Sequence, residues 1–563
     1  MLKGKMAKLS VLALTVVLVG SMFAGCSSKP GATKDAQKVS YNLGADPQTI
    51  DPGLNDSVEG GTLIENAFEG LVDINTKEKA IPGVASSWKI SPDGLNYTFT
   101  LRKDAKWSDG KGVTAKDFEF AWKRALAPET ASTYAYQLFY LKNAQGYNES
   151  ALPAKSKSVG VTTATADQVG VKAVDDYTLK VTLTAPTPYF LELTAFPTYM
   201  PLRKDVVEKS PKAWATKAAT YISNGAFTIT DWKPKATMTF SKNTNYWNKA
   251  NVKLDTITYY MLDQETSATA AFTTGQVDIN DIIPVAMKPT LIKNGTAKNY
   301  PYLGTYYYNI NVGDKDTANG VAVTKALKDV KVREALNLAI DKESLVKNVT
   351  KGGETAATAF VPNGINDNTG KNFKNTDYTP AKGDVTKAKK LLSEAGYADG
   401  KNFPTLEILY NTSQNHQNIA AAVQDMLKKN LGVNVTLRNV ERKVQLSDLQ
   451  SWQYQICRDG WIADYSDPMT FLDMWVTGSG QNFSDYSNPA FDKLIVAAKA
   501  EVDVSKRTTD MHQAEAILMK DLPMIPLYFY TNVVEVKSYV KDLHKSPLGF
   551  LYFQNTYIDK SAK

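Results

Sequence analysis

The 563-residue chain has few of the residues that most often carry chemistry. It contains two cysteines, Cys26 and Cys457, and three histidines, His416, His512 and His544. The histidines are too scattered for a local zinc motif of the H-E-x-x-H kind, so neither a metal nor another cofactor is expected. G-x-S-x-G, a P-loop and G-x-G-x-x-G are also missing. Enzymes can build sites from distant residues, so these absences weigh against a hydrolase or transferase without closing either. No dense basic run occurs and the formal charge is a modest +7, which argues against nucleic acid as a partner. The apolar run from Leu9 to Phe23 is ~15 residues, short of the about 20 that a spanning helix needs.

That run follows a basic head of Lys3, Lys5 and Lys8 and stops at "FAGCSS", which reads as a secretion signal over residues 1–25. The stop resembles a bacterial lipoprotein box, in which the cysteine, here Cys26, is lipidated and becomes the mature N-terminus. Phe23 stands where that pattern usually has leucine. The alternative is an ordinary cleavage site with an incidental cysteine. Residues 26–38, with "SSKPGATKDAQK" at 27–38, lack apolar periodicity and read as a lipid-anchored tether. Without the three signal lysines the charge falls to +4. If Cys26 carries lipid, Cys457 has no partner, and a secreted chain without disulfides depends on the size of its core. A chain this long can bury one. Cys457, within "YQICRDGW", reads as a small buried hydrophobe.

Hydrophobic residues make up 43% and charged residues 22%, as in a globular protein, and length over ~150 suggests three or four domains. Strand-like alternation marks Leu95, Tyr97, Phe99 and Leu101, and again Leu179, Val181 and Leu183. Thr114 is placed to cap a helix "AKDFEFAWKRALA". Asp384 caps "VTKAKKLLSEAGY", whose apolar positions 385, 388, 391, 392 and 395 share a face before Gly396 ends it. "IAAAVQDMLKKNLGVNVTL" predicts a helix over 419–430, a stop near Gly432, and a strand with Val433, Val435 and Leu437 on one side. Mixed strands and helices without a short repeat make an α/β protein of several domains.

Four stretches then carry a resemblance. "GVASSWKISPDGLNYTFTLRKDAKWSDGKGVTAKDFEFAWKRAL" (83–126), "SNGAFTITDWKPKATMTFSKNTNYWN" (223–248), "DVKVREALNLAIDKESLV" (329–346) and "GWIADYSDP" (460–468) resemble, in order, the family 5 extracellular solute-binding proteins. "TASTYAY", "TYYYNIN", "YNTSQNH" and "RDGWIADY" point to the oligopeptide branch. The similarity runs from about Val39 to the C-terminus. It implies a type II periplasmic-binding-protein-like α/β fold, with two hinged lobes and an additional third domain. By resemblance, residues 39–68, 200–280 and 532–563 form domain I, 69–199 domain II, and 281–531 domain III.

The same resemblance assigns the site. In "RDGWIADYSDP" (458–468), Asp464 corresponds to the aspartate that pairs with a peptide's ammonium group. Gly460, Trp461 and Ile462 would lie extended and offer main-chain bonds, the glycine leaving room for a second backbone. Arg458 and His416 match basic positions that meet the peptide carboxylate, while Val58 and Tyr134 line the cleft. Each also has a plainer reading. Asp464 suits a turn or cap, Arg458 a surface or interlobe ion pair, and His416, just before the helix, a cap. Trp461, Val58 and Tyr134 suit the core. The tyrosines at 306–308 read as a half-buried strand rather than a ligand platform.

The expectation is a monomeric, lipid-anchored extracytoplasmic receptor that performs no chemistry. It would capture oligopeptides and deliver them to the membrane subunits of an ABC permease. Alternatives are another ligand (a dipeptide, a cell-wall or signalling peptide, a nickel chelate) or, in a different class, a surface enzyme or chaperone.

Overall fold

Tyr97, Phe99 and Leu101 alternate inward along the strand Asn96–Leu101, with 6%, 0% and 2% of their surface exposed. Leu179 and Val181 do the same along Thr178–Thr182. These strands pair in a four-stranded antiparallel sheet with Ala85–Ile90 and Val171–Asp175 at its edges. The helix Ala115–Leu126 buries Phe118 and Trp122 beside it. Thr114 opens that helix in a capping box, its backbone N–H donating to Asp117 at 2.8 Å.

The computed structural model describes residues 36–153, 158, 161–313, 325–367 and 369–562. The expected signal, Cys26 and nearly all of the tether lie outside the described residues. Gln37–Lys563 group as one compact unit. No helix among the described residues is long and apolar enough to cross a membrane.

An eleven-stranded mixed sheet organises the rest. At one end Lys38–Asn42 runs parallel to Thr256–Tyr260 and to Ile279–Asn280. At the other, Leu406–Asn411 runs parallel to Val435–Val440 and to Ile456–Ile462. Two long antiparallel strands, Ala297–Ile310 and Met524–Val536, join the ends. Their ladder breaks between Pro301 and Thr305, where a bulge frees Tyr302 and Tyr530 from regular pairing. One large hydrophobic cluster runs from Val39 through Phe99, Phe360 and Trp475 to Ile558, and a second gathers on the Tyr306 and Tyr308 face of the crossing strands beneath the helix Gln414–Leu431.

Helix signals hold closely. Asp384 accepts from the Lys387 N–H at 2.9 Å to start Val385–Glu394, which buries Ala388 and Leu392. Gly396 follows at φ +92°. The next helix begins earlier than its apolar pattern suggests, running Gln414–Leu431 from a Ser413 cap to Gly432 at φ +73°. His416 therefore lies inside the first turn and donates its backbone N–H to Ser413, so its ring is not the cap. Tyr306, Tyr307 and Tyr308 are fully rather than half buried, because their strand is central and covered on both faces. Cys457 is buried, and burial pushes its thiol well above the ordinary range, consistent with an inert hydrophobe.

Candidate functional site

A cleft of about 540 Å³ opens between the large sheet and the part of the chain around Tyr134 and Phe196. Leu43 to Asp46 and Asn55 to Glu59, which lead into the helix Val58–Ala67, form one wall, and the strand Ile456–Ile462 with the chain to Asp464 forms another. Val58, Tyr134, His416, Arg458, Gly460, Ile462 and Asp464 all line it, although they come from four separate parts of the chain. Period-two alternation explains the odd one out. Arg458, Gly460 and Ile462 face the cleft, while Asp459 and Trp461 point to the other side. Trp461 is 6% exposed and stacks on Tyr134, with ring centroids 6.1 Å apart and planes 9° apart. It is a wall behind the site.

Tyr134 in turn reaches Asp464, its hydroxyl 3.4 Å from Oδ1. Gln137 donates to Oδ2 at 2.6 Å, and the Asp464 N–H donates to Thr470 Oγ1 at 3.0 Å. All these donors are neutral. Burial, then the charge of Asp473, hold the Asp464 carboxyl well above the carboxylate range, and hydrogen bonds from Tyr134, Gln137 and Tyr136 only partly oppose them. Among the described residues the carboxyl is held by neutral donors and no cation pairs with it.

At the other end of the strand, Arg458 donates to Asn411 Oδ1 and to the Tyr530 hydroxyl, each at 3.2 Å. It lies 4.9 Å over the Tyr306 ring. Its Nε is buried with no partner among the described residues. His416 Nδ1 sits 3.2 Å from the Tyr306 hydroxyl. Burial, followed by the fields of Arg458 and Arg442, drives its pKa well below the usual value, so the ring is neutral near pH 7.

The strand carrying these groups has an open edge. Leu406–Asn411 pairs with it only at Ile456 and Cys457, and from Arg458 onward that edge has no strand partner among the described residues. The Arg458 carbonyl accepts from Gln445, and the Gly460 N–H turns to Asp459 Oδ1 at 2.8 Å. The space expected beside Gly460 for a second backbone is already taken. A Cβ there would lie 2.2 Å from the Tyr530 hydroxyl, so the glycine admits Tyr530.

The sequence reading missed Arg442 and Lys443, which line the cleft from the helix Arg442–Gln450, and Asp46, Asp56, Tyr302 and Tyr530. Their local patterns are those of a helix start, a loop and a strand, and no local signal separates them from ordinary surface or core. Among the described residues no group of three or more His, Cys, Asp or Glu side chains is placed to hold a metal.

Comparison with known proteins gives a consistent result. The family model "Bacterial extracellular solute-binding proteins, family 5 Middle" matches residues 79–483. The oligopeptide-binding protein OppA of Bacillus subtilis (strain 168) is 39% identical over 560 residues, covering 97% of this chain and 98% of its own length. Haemophilus influenzae OppA, solved in complex with the peptide RPPGFSPFR, superposes with a TM-score of 0.84 at 33% identity, covering 93% of this chain and 99% of that one. The Escherichia coli murein tripeptide binding protein MppA gives 0.83 at 35% identity over 93% and 99% of the two chains. Its unliganded open form gives 0.61 at 34% identity over 94% and 99%.

Proposed function

The chain belongs to family 5 of the bacterial extracellular solute-binding proteins, and from that premise we propose that it captures oligopeptides in this cleft for an ABC importer. It is an extracytoplasmic binding protein and not an enzyme. The observation that carries the peptide reading is Asp464, a buried carboxylate with neutral donors around it and no cationic partner among the described residues. A peptide ammonium completes that pocket, since a buried charge is tolerable only when paired. Arg458, with an unused Nε, suits the carboxylate end, and neutral His416 can serve as a hydrogen-bonding partner there. Between them the run from Arg458 to Ile462 covers roughly 13 Å of strand, room for a few peptide residues along its open edge. Val58 and Tyr134 pack against the peptide, and Trp461 holds Tyr134 in place.

The domain division follows the same reading: 39–68, 200–280 and 532–563 as domain I, 69–199 as domain II, and 281–531 as domain III. Its hinge would be the crossing strands Ala297–Ile310 and Met524–Val536, bulged beside the cleft. The chain is tethered to the membrane by lipid on Cys26; Cys26→Ser should move it to the soluble fraction with peptide binding intact. To test the function, purified protein is denatured and the released ligands are read by mass spectrometry. Recovery of intact peptides supports the proposal. A non-peptide ligand recovered reproducibly, with no binding of added peptides, rejects it.

A further inference from the structure

The four-stranded sheet carries a charge pattern that the peptide cleft does not use. Its inner face buries Tyr97, Phe99, Leu101, Leu179 and Val181, so the period of two turns the residues between them outward. Across that outer face Lys89, on Ala85–Ile90, stands opposite Thr98; Thr98 stands opposite Lys180, and Lys180 opposite Lys172, on Val171–Asp175. The three lysines are exposed, none lines the cleft, and none has an ion-pair partner among the described residues. The outward positions beside them are Ser87, Asn96, Thr100, Thr178 and Thr182. The acids nearest this face, Asp93 and Asp175, sit in the hairpin turns at its opposite ends. There Asp93 accepts from the Leu95 N–H at 3.0 Å and Asp175 from the Tyr177 N–H at 2.8 Å. Asp176, next in the second turn, pairs with Lys116 at 2.8 Å.

Like charges directly opposite each other destabilise a sheet, so folding alone does not account for Lys172 beside Lys180. Edge strands often carry lysine against edge-to-edge pairing, which explains Lys89 and Lys172 singly. Lys180 lies on the inner strand Thr178–Thr182, where no edge needs protection. Neighbouring strands stand about 4.8 Å apart, so the row spans about 14 Å. Short hydroxyl and amide side chains around it leave the ammonium groups standing highest on the face. Such a row suits an extended array of anions better than one small ion. The membrane that holds the proposed lipid on Cys26 is an array of that kind, and the stretch from Cys26 to Lys38 reaches at most about 40 Å when extended.

We propose that this face docks the protein on an anionic phospholipid surface through Lys89, Lys172 and Lys180. The inference rests on the anchored reading of Cys26, and its test removes the lipid. The full chain carrying Cys26→Ser would be co-sedimented with phosphatidylcholine vesicles, with and without an equal share of phosphatidylglycerol. Binding carried by the apolar run at 9–23 appears on both vesicles, so the difference between them reads the charge. That difference should be present at about 0.01 M salt and vanish at about 1 M, where screening shortens from about 30 Å to about 3 Å. Adding Lys89→Gln, Lys172→Gln and Lys180→Gln together should weaken anionic-vesicle binding about a hundredfold, roughly fivefold per lysine, and leave peptide affinity within about twofold. Lys180→Gln alone, at about fivefold, carries the test if the triple variant does not fold. Equal binding to both vesicles overturns the proposal. So does an equal loss from Lys389→Gln, Lys390→Gln and Lys401→Gln together, exposed lysines elsewhere, which would make net charge the cause. Capture of soluble polyphosphate without vesicle binding also overturns it, giving the row a different polyanion. A native chain held on membranes by lipid, whose Cys26→Ser form ignores anionic vesicles, loses the docking and keeps the anchor. A chain that prefers anionic vesicles but carries no lipid keeps the docking and loses the anchor.

Discussion

Asp464 without a ligand is a poor place for a negative charge, and that is what makes it informative. Its donors are neutral, and its carboxyl is held above the ordinary range by burial and by Asp473. If a peptide ammonium restores the balance, Asp464→Ala leaves that ammonium buried and unpaired. Breaking such a pair from one side costs on the order of 3–5 kcal/mol, a loss of about a hundredfold to several thousandfold in affinity. Water entering the vacated space favours the lower figure. Acetylating the peptide N-terminus should weaken native binding for the same reason, and the two changes should not add. Calorimetry on the four combinations checks this; equal native affinity for free and acetylated peptide would leave Asp464 a turn residue. A second residue tests the burial argument without ligand. Lys342 is fully buried, its Nζ donates to the Ala357 carbonyl at 3.1 Å, and burial lowers its pKa to about 7. The unfolded chain, with a lysine near its usual value of about 10.4, binds more protons between those limits. Its stability cost is therefore full below about pH 7 and relieved as pH rises toward the unfolded value. Lys342→Met should stabilise by about 1–3 kcal/mol at pH 6.5, after the loss of one hydrogen bond, and by much less at pH 9.5. Urea unfolding at both pH values reads it, and a pH-independent difference would contradict the assignment.

At the scale of elements, legibility depended on whether the signal was local. The cap at Asp384, the face of Ala388 and Leu392, and the stop at Gly432 depend on neighbours within a turn, and each is found where expected. The alternation of Arg458, Gly460 and Ile462 against Trp461 is equally local, yet it shows only which side chains go together. Which face meets the cleft depends on Thr305 and Tyr306, some 150 residues away in the paired strand. The helix at Gln414 began early because Ser413 caps it through polar residues that carry no apolar period. Gly460 shows the same limit more sharply. A glycine in a strand signals a close approach, but sequence does not say by what, and the occupant is Tyr530. Gly460→Ala should push that hydroxyl from Arg458, which it accepts from at 3.2 Å. The expected cost is about 1–3 kcal/mol of stability. In a Tyr530→Phe background the cost should shrink, since the nearest clashing atom is gone. Thermal unfolding of the four proteins decides it, and a cost unchanged by Tyr530→Phe would locate the strain elsewhere.

For the whole molecule, the question is which state the structure represents. Gln137 and Tyr134 reach Asp464 from more than 300 residues away in the chain, Tyr140 meets Tyr465 at 3.0 Å, and Gln450 meets Asp56. Exposed Lys235 and Glu441 also face each other at 3.3 Å on the rim. These contacts join parts of the chain on opposite sides of the cleft, and a hinge opening at the bulged strands would separate them. The superposition agrees: the fit to MppA is 0.83, but 0.61 to its unliganded open form, although the sequence identity is nearly the same. The structure is therefore on the closed side. The interior of the cleft disfavours that arrangement without a ligand: Asp464 has no cationic partner among the described residues, and Asp56 and Arg458 carry buried unpartnered atoms. Bringing the walls together without a ligand desolvates those groups uncompensated, whereas a peptide pairs them and so binds the closed form better. Small-angle scattering of verified ligand-free protein should give a larger radius of gyration than the peptide-saturated protein, whose profile should match the closed structure. The rim pair should matter little, since exposed pairs contribute about 0–1 kcal/mol, so Lys235→Ala should leave the bound profile unchanged. An identical profile with and without saturating peptide would mean that the cleft is closed before ligand arrives, and that its unpaired charges are stabilised by something other than peptide.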